Sequence, residues 1–477
     1  MFSPDQWLAS TGAAFYNNVA TQSLRFDRGS SAHLARTPSS EGNRRTWTAS
    51  FWVKRANFNT SESQNIFMGA SDNVGYTDTT LFFDTNTEFG FYDRVGGYVT
   101  TSRKFRDPSA WYHIVVVLDT TQSTASDRLK IYVNGSQETS LTNSTYPAQD
   151  SQKSINDNVL HWFGGRNYSP AYNYLGAYLA EFNLIDGTAL TPTSFGETKN
   201  GVWIPIEYTG SYGTNGFRLQ FNQTGTGTAS ASTIGADTSG NTNHYTSSGI
   251  VASDCNMPDS PENNFCTMNS LDKQSQVTLS EGTLKVRTST TGGGYKVRGT
   301  MQLSGKVYFE GLIGAVGGNI GSWFGIADNS DGITDFNSSR RNGLYYNASD
   351  FRKAVDGSFS VISSGALSAN DIIGLAYNFD DNEFSIYRNN SAVLTDATFT
   401  NDVGFSPIAD LYRNDSTDTG FIFNFGQDSS FAGAKTAQGN TDANGIGDFY
   451  YAPPSGFLAL CSANLPEPTI SPNADTQ

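Results

Sequence analysis

The sequence has little of what several large function classes require. Three cysteines and four histidines in 477 residues are too few for a disulfide framework or a zinc cluster, and no Cys/His run has metal-ligand spacing. Cys255 and Cys266 could close one small loop, but nothing else in the chain has the character of an oxidised protein. The Ala, Leu, Glu, Lys and Arg mixture that fills long helices is scarce. No apolar run approaches the roughly 20 residues that span a bilayer, so membrane insertion is not expected. The first residues, "MFSPDQWLAS", lack a basic region followed by an apolar core, so a chain without a secretory signal is expected, made in the cytoplasm. Positive charge is short as well: the formal net charge is −15, and the Arg44-Arg45 and Arg340-Arg341 pairs stand alone. A phosphate backbone would be repelled, which argues against nucleic acid as a partner.

What is abundant is glycine, serine, threonine, asparagine and aromatic residues, with 48 Gly and 32 Phe. Segments such as "TWTASFWVKRA", "TLFFDT" and "EFGFYDR" carry β-branched and aromatic residues between Gly, Asp, Asn and Ser. They read as short antiparallel strands without crossover helices. In "TASFWVKRA", Ala49, Phe51 and Val53 face the core and Ser50, Trp52 and Lys54 the other side. "WYHIVVVLD" is apolar on both faces at Ile114–Leu118, as in a strand buried between two sheets. Its partner "LKIYVNG" alternates and closes on Asn134-Gly135, a pair suited to the positive φ of a tight turn. A similar hairpin grammar recurs in "IIGLAYNFDDNEFSIYRNNS", Ile372 to Ser391.

This pattern predicts an all-β chain of two antiparallel sandwiches. Residues 1–20 form an N-terminal arm, either docking on another protein or leading into the first strand. The first sandwich spans 21–208, a Gly/Ser/Thr-rich connector with at most a short docked strand at "GFRLQF" spans 209–263, the second sandwich spans 264–464, and a polar tail spans 465–477. Too few apolar residues are visible in the connector to offset the entropy of ordering it.

The run "TASFWVKRA", "WYHIVVVLD", "LKIYVNGS", "WFGGR" and "GAYLAEFNLIDGTALTPTSF" resembles laminin G-like, concanavalin A-like jelly rolls. "GKVYFEGLIG", "SWFGIAD", "DIIGLAYNFDDNEFSIYRNNS" and "GFIFNFGQ" resemble SPRY domains. "GADTSGNTNHYTSSGI", "DSPENNFCTMNSLD" and "GDFYYAPPSGFLALCSANLPEPTI" are similar to stretches of tailed-phage fibre and appendage proteins, notably marine ones. That last resemblance implies a virion protein, a homotrimer by default, bound to other virion proteins and to a host-surface glycan or receptor. It also leaves open a decoration protein whose sandwiches bind only virion partners.

Chemistry is weakly signalled. There is no Gly-x-Ser-x-Gly elbow, and His113 and His161 lie at strand positions that suit structural roles. Glu88 with Asp93, and Glu181 with Asp186, have odd spacings that point to opposite faces of a regular strand, unlike a glycosidase pair. A depolymerase is therefore the third reading, and no catalytic residue is assigned. Asp72, Asp84, Asp119 and Asp127 are carboxylates that a laminin G-like domain could offer to Ca2+, and each is equally a turn former. Sugar binding needs aromatic faces beside amides. Asn167, Tyr168, Tyr172, Asn173 and Tyr174 in "GRNYSPAYNYLG" offer both, and equally suit packing over the sandwich end or against another subunit. By resemblance to SPRY domains, Arg340, Arg341, Tyr345 and Tyr346 lie in or beside a partner-binding loop.

Overall fold

Ala49, Phe51 and Val53 of the Thr46–Arg55 strand point into one core, whereas Trp52 and Lys54 point away from it, as the alternation requires. This strand is central in the computed structural model, which describes residues 15–465 apart from 59–63, 72–77, 166–172, 315–320, 331, 334–339, 347–348, 364–365 and 414–418. Its sheet runs in the order Leu24–Phe26, Ala177–Asp186, Thr46–Arg55, Trp111–Asp119, Leu129–Val133, Ser136–Gln137. The facing sheet runs Leu141–Thr145, Tyr98–Thr101, Phe89–Asp93, Thr79–Asp84, Gln64–Ser71, Leu160–Phe163, His33–Arg36, Thr246–Ser248. Phe51, Phe67, Phe83, Phe89, Phe163 and Phe182 meet between them, with Phe51 and Phe182 stacked at 4.9 Å. Packed aromatics of this kind give a core large buried area in fixed geometry.

The second half repeats the plan. One sheet runs Met268–Lys273, Gly292–Gly299, Phe405–Arg413, Ser322–Asp328, Arg341–Tyr346, Phe351–Val355, Ser358–Ser363. The other runs Val277–Ser280, Lys285–Thr288, Thr419–Asn424, Lys306–Ile313, Ile372–Asn378, Glu383–Arg388, Ser391–Thr398. The chain is thus all-β, with two antiparallel sandwiches. The recurring hairpin grammar corresponds to the adjacent pairs Trp111–Asp119 with Leu129–Val133 and Ile372–Asn378 with Glu383–Arg388. No helix among the described residues is long and apolar enough to cross a membrane.

Two local expectations change. The strand Trp111–Asp119 is not covered by sheets on both sides: Ile114, Val116 and Leu118 enter the core, but Val115 and Val117 pack under Phe195 and Tyr212. An apolar face needs only a dry cover, and the segment after the Ala177–Asp186 strand supplies one. The Gly/Ser/Thr-rich stretch 209–263 is likewise integral to the first sandwich. The Phe217–Leu219 strand within "GFRLQF" pairs with Ala177–Asp186, a second short strand, Thr246–Ser248, pairs with His33–Arg36, and Phe221, Ile234, Tyr245 and Ile250 join the core. Asp237 ties the stretch together by accepting from the backbone of Arg218, Ser239 and Asn243. Satisfied polar groups order it where apolar area alone would not. Residues 15–20 also lie against their own chain: Asn17 donates to Glu197 and to the Pro205 carbonyl, and Glu262 accepts from Val19 and Ala20.

The three cysteines are free and buried, so the Cys255–Cys266 loop closure is not formed. In the second half Glu310 anchors the C-terminal segment, accepting from the backbone of Tyr450 and Tyr451, from Asn424 Nδ2 and from the Tyr308 hydroxyl. Burial pushes its carboxyl up to about 7, against the pull of those four donors. A raised carboxyl favours the fold below its unfolded value and loses that contribution as pH rises through the folded one. The urea midpoint of the protein is therefore expected to fall between pH 4.5 and 7, and Glu310→Gln to flatten that slope. An unchanged slope in the variant would remove Glu310 as its source.

Candidate functional site

The outward face of the first sandwich carries a row set by register: Trp52 pairs with His113, and Lys54 with Trp111. The Trp52 and His113 rings stack at 4.8 Å. Trp203, presented by the small Gly196–Lys199/Val202–Pro205 hairpin, meets the His113 ring with centroids 5.9 Å apart and planes 23° from parallel. Trp203 Nε1 donates to His113 Nδ1 at 2.9 Å, which assigns the remaining ring proton to Nε2 and to its 2.9 Å bond with Ser50 Oγ. Burial pushes His113 down to about 3, so the imidazole stays neutral. It links the two indoles, stacked on Trp52 and hydrogen-bonded at its edge to Trp203.

Two glycines make room for Trp203. A Cβ on Gly135 would lie 2.6 Å from its ring and one on Gly196 2.5 Å. Gly135 also sits at φ 81°, so the Asn134-Gly135 turn serves the ring as well as the hairpin. Asn134 itself is locked to the strand, with Oδ1 accepting from His113 N at 2.8 Å.

Together these groups line an open cleft of about 560 Å³, bounded by Tyr16, Trp52, Trp111, Asn134, Trp203 and Asn264. That size is within the range of small-ligand sites. The far wall comes from the start of the second half and from Ser462 near its end, so the cleft lies where the two sandwiches meet. Asn264 N donates to Ser462 Oγ, and Lys54 Nζ holds Asn264 Oδ1 at 2.7 Å. Trp111 is fixed by a bond from Nε1 to Asp259 Oδ1. The partly exposed rings of Tyr16, Trp111 and Trp203, beside the Asn134 amide and uncharged hydroxyls, can stack on and hydrogen-bond a sugar.

The residues singled out from sequence fall elsewhere. Asn167, Tyr168 and Tyr172 lie outside the described residues. Asn173 is buried at φ 62°, and Tyr174 is half-buried, its ring filling the space over Gly165 and tilted on His33 at 6.2 Å. The described part of that loop packs. Arg341, Tyr345 and Tyr346 belong to one strand, in which "RNGLYY" sends Asn342, Leu344 and Tyr346 inward by alternation. Tyr346 is core and cannot reach a partner. Arg340 makes a two-pronged pair with Asp402, Arg341 lies over the Trp323 ring, and Tyr345 packs 5.0 Å from Phe359. Sequence analysis missed the Trp cleft, although Trp52, Trp111 and Trp203 were all visible.

The candidate carboxylates are occupied. Glu88 pairs with Lys104, Asp93 with Lys153 and Glu181 with Arg218, while Asp186 accepts from Asn43, Asn156 and Asn215. Asp84 caps Glu88 N, Asp119 accepts from Thr121 and Gln122, and Asp127 pairs with Lys130. Asp72 lies outside the described residues, and among those described no group of three or more His, Cys, Asp or Glu could hold a metal. His33, His161 and His244 each bond to local backbone.

Residues 28–194 match the concanavalin A-like lectin/glucanases superfamily. This concanavalin A-like region supplies Trp52, Trp111 and Asn134, whereas Trp203, Asn264 and Ser462 lie beyond it. Among solved structures, the chain is similar to the SPRY domain of human HERC1 at 14% identity, covering 34% of this chain and 97% of that one, with a TM-score of 0.28. It is similar to a SAP-like pentraxin from Limulus polyphemus at 14% identity, over 36% and 79%, with a TM-score of 0.27. A candidate carbohydrate-binding protein from Bacteroides ovatus aligns at 12% identity, over 48% and 58%, with a TM-score of 0.33. No curated protein sequence matches the chain.

Proposed function

We propose that the chain binds carbohydrate in the Trp52–Trp111–Trp203 cleft, without catalysis, and displays that site as a fibre or appendage of a phage particle. The observation that carries the binding reading is the cleft: an aromatic wall held rigid by a neutral histidine and two glycines, beside the Asn134 amide and lining hydroxyls. Engagement of Glu88, Asp93, Glu181 and Asp186 in structural bonds supports a binding rather than a hydrolytic role. The virion reading is supported by the resemblance of the 235–272 and 447–470 stretches to tailed-phage appendage proteins. Other virion proteins and a host-surface glycan would be its partners, and a homotrimer its default assembly. Repeated display would turn weak single sites into firm attachment.

Trp203→Ala is expected to weaken carbohydrate binding at least about tenfold, since it removes a stacking face and frees His113. Titration of the purified full chain against a panel of oligosaccharides reads this, with thermal unfolding as the check that the variant folds. Binding unchanged in Trp203→Ala, or no carbohydrate bound by the wild type, would sink the reading. One observation favours the decoration reading instead. The strand Ser358–Ser363 is a sheet edge among the described residues, with Phe359 42% and Val361 55% exposed, which suits pairing with another protein. Recovery of the chain from purified particles, with no carbohydrate binding, would select it.

A further inference from the structure

We infer that the cleft selects uncharged, acceptor-rich saccharide segments and rejects acidic ones; this rests on the carbohydrate reading above. None of the residues lining the cleft is charged. The carboxylate beneath it, Asp259, is fully buried and committed to Lys54 and Trp111. Lys54 in turn spends its three donors on Asp259, Asn264 and the Phe265 carbonyl, so it presents no cation to a ligand. Lys199, beside Thr198 on the hairpin, is turned onto the Phe15 ring. His113 stays neutral, as its burial requires. An acidic sugar would therefore leave water for a site with no counter-charge, on a chain of net charge −15.

The free amide and indole N–H groups are donors, and the lining hydroxyls of Tyr16, Thr198 and Ser462 can donate as well. Trp52 is 4% exposed and lines the cleft, yet its Nε1–H has no partner among the described residues. An indole N–H without a protein partner is open to an acceptor on a bound ligand. Asn134 commits Oδ1 to the His113 backbone and leaves its amide hydrogens unpartnered among the described residues. Ser462 Oγ accepts from Asn264 N, so its hydroxyl hydrogen is free to donate. By contrast Asn264 is used up, its Oδ1 by Lys54 and its Nδ2 by the Ser109 carbonyl. A neutral pyranose offers hydroxyl, ring and acetamido oxygens to such donors and an apolar face to the indoles.

The test is a titration of the full chain and of Asn134→Asp against neutral oligosaccharides (glucans, mannans, galactans, N-acetylhexosamine oligomers) and acidic ones (uronates, sialylated and sulfated chains). Asp at 134 keeps the acceptor for His113 N and replaces the donor with a carboxylate. Neutral ligands bound by the wild type, about tenfold more weakly by Asn134→Asp, with acidic ligands at least tenfold weaker still, is the expected result. Acidic ligands preferred, with binding lost in Trp203→Ala, would overturn the neutral selectivity and leave the carbohydrate reading standing. No saccharide of either class bound would overturn both.

Discussion

Arg25→Met is expected to cost about 3–5 kcal/mol at pH 7, because it removes a buried cation from a group of carboxylates. Arg25 lies in the Leu24–Phe26 strand and is fully buried. Its Nε donates to Asp254 at 2.9 Å, its Nη1 to Asp428 at 3.0 Å and its Nη2 to the Ser253 carbonyl at 3.0 Å, with Glu281 at 3.6 Å. Asp428 and Glu281 belong to the second half, so this guanidinium holds the two sandwiches together. Tyr178 adds a bond to the Gly282 carbonyl, and Asp27 accepts from Glu281 N. Methionine fills similar volume and leaves buried Asp254 and Asp428 without the Arg25 charge, holding only local donors from Val251, Ser430 and Ala432.

The sign of the pH dependence follows from the carboxyls. Burial already raises those of Asp254 and Glu281, with Arg25 opposing it. Without Arg25 they rise further, so the variant loses stability as pH climbs through the raised values. The gap to wild type should be widest at neutral pH and narrow near about pH 3, below the ordinary values of 3.8 and 4.5, where the groups are protonated in both states. Urea unfolding at the two pH values measures it, and equal midpoints at pH 7 would mean the network contributes nothing.

A loss of similar size, about 3–5 kcal/mol, is expected for Lys54→Met, for the same reason at a second junction point. Lys54 is 1% exposed and its three donor bonds are 2.7–2.8 Å long. Its removal strands Asp259, whose carboxyl burial already raises against the pull of Lys54. The double variant Lys54→Met/Asp259→Asn removes the stranded charge and should recover most of the stability, a cycle that isolates the pair from the packing of the lysine stem. Saccharide affinity should fall as well in Lys54→Met, since Asn264 loses its anchor and Trp111 its fixed acceptor. Wild-type stability in Lys54→Met would show that the pair is solvated in solution and holds nothing.

Much of the fold was legible. Alternation in "TASFWVKRA" and "LKIYVNG", and the Asn-Gly turn, are local features that specify strands and their inward faces wherever the rest of the chain goes. The order of the 209–263 stretch was not, because Phe217, Ile234 and Tyr245 are scattered among small polar residues and find their cover on strands far away in sequence. The site was less legible still. The Tyr/Asn loop attracted attention because its residues are neighbours in sequence, while the Trp cleft is assembled from residues 52, 111, 134, 203, 264 and 462.

The sequence alone determined the strand character, the two-sandwich plan, the absence of an apolar span and the excess negative charge, since each is set by composition or by a period of two residues. Tertiary structure decided which tryptophans meet, which ions are buried and where the halves join. Pairing of Thr46–Arg55 with Trp111–Asp119 sets Trp52 beside His113 and Lys54 beside Trp111. A slip of one residue would turn the two side chains of the slipped strand to the core, and only the packing of the whole sandwich forbids it.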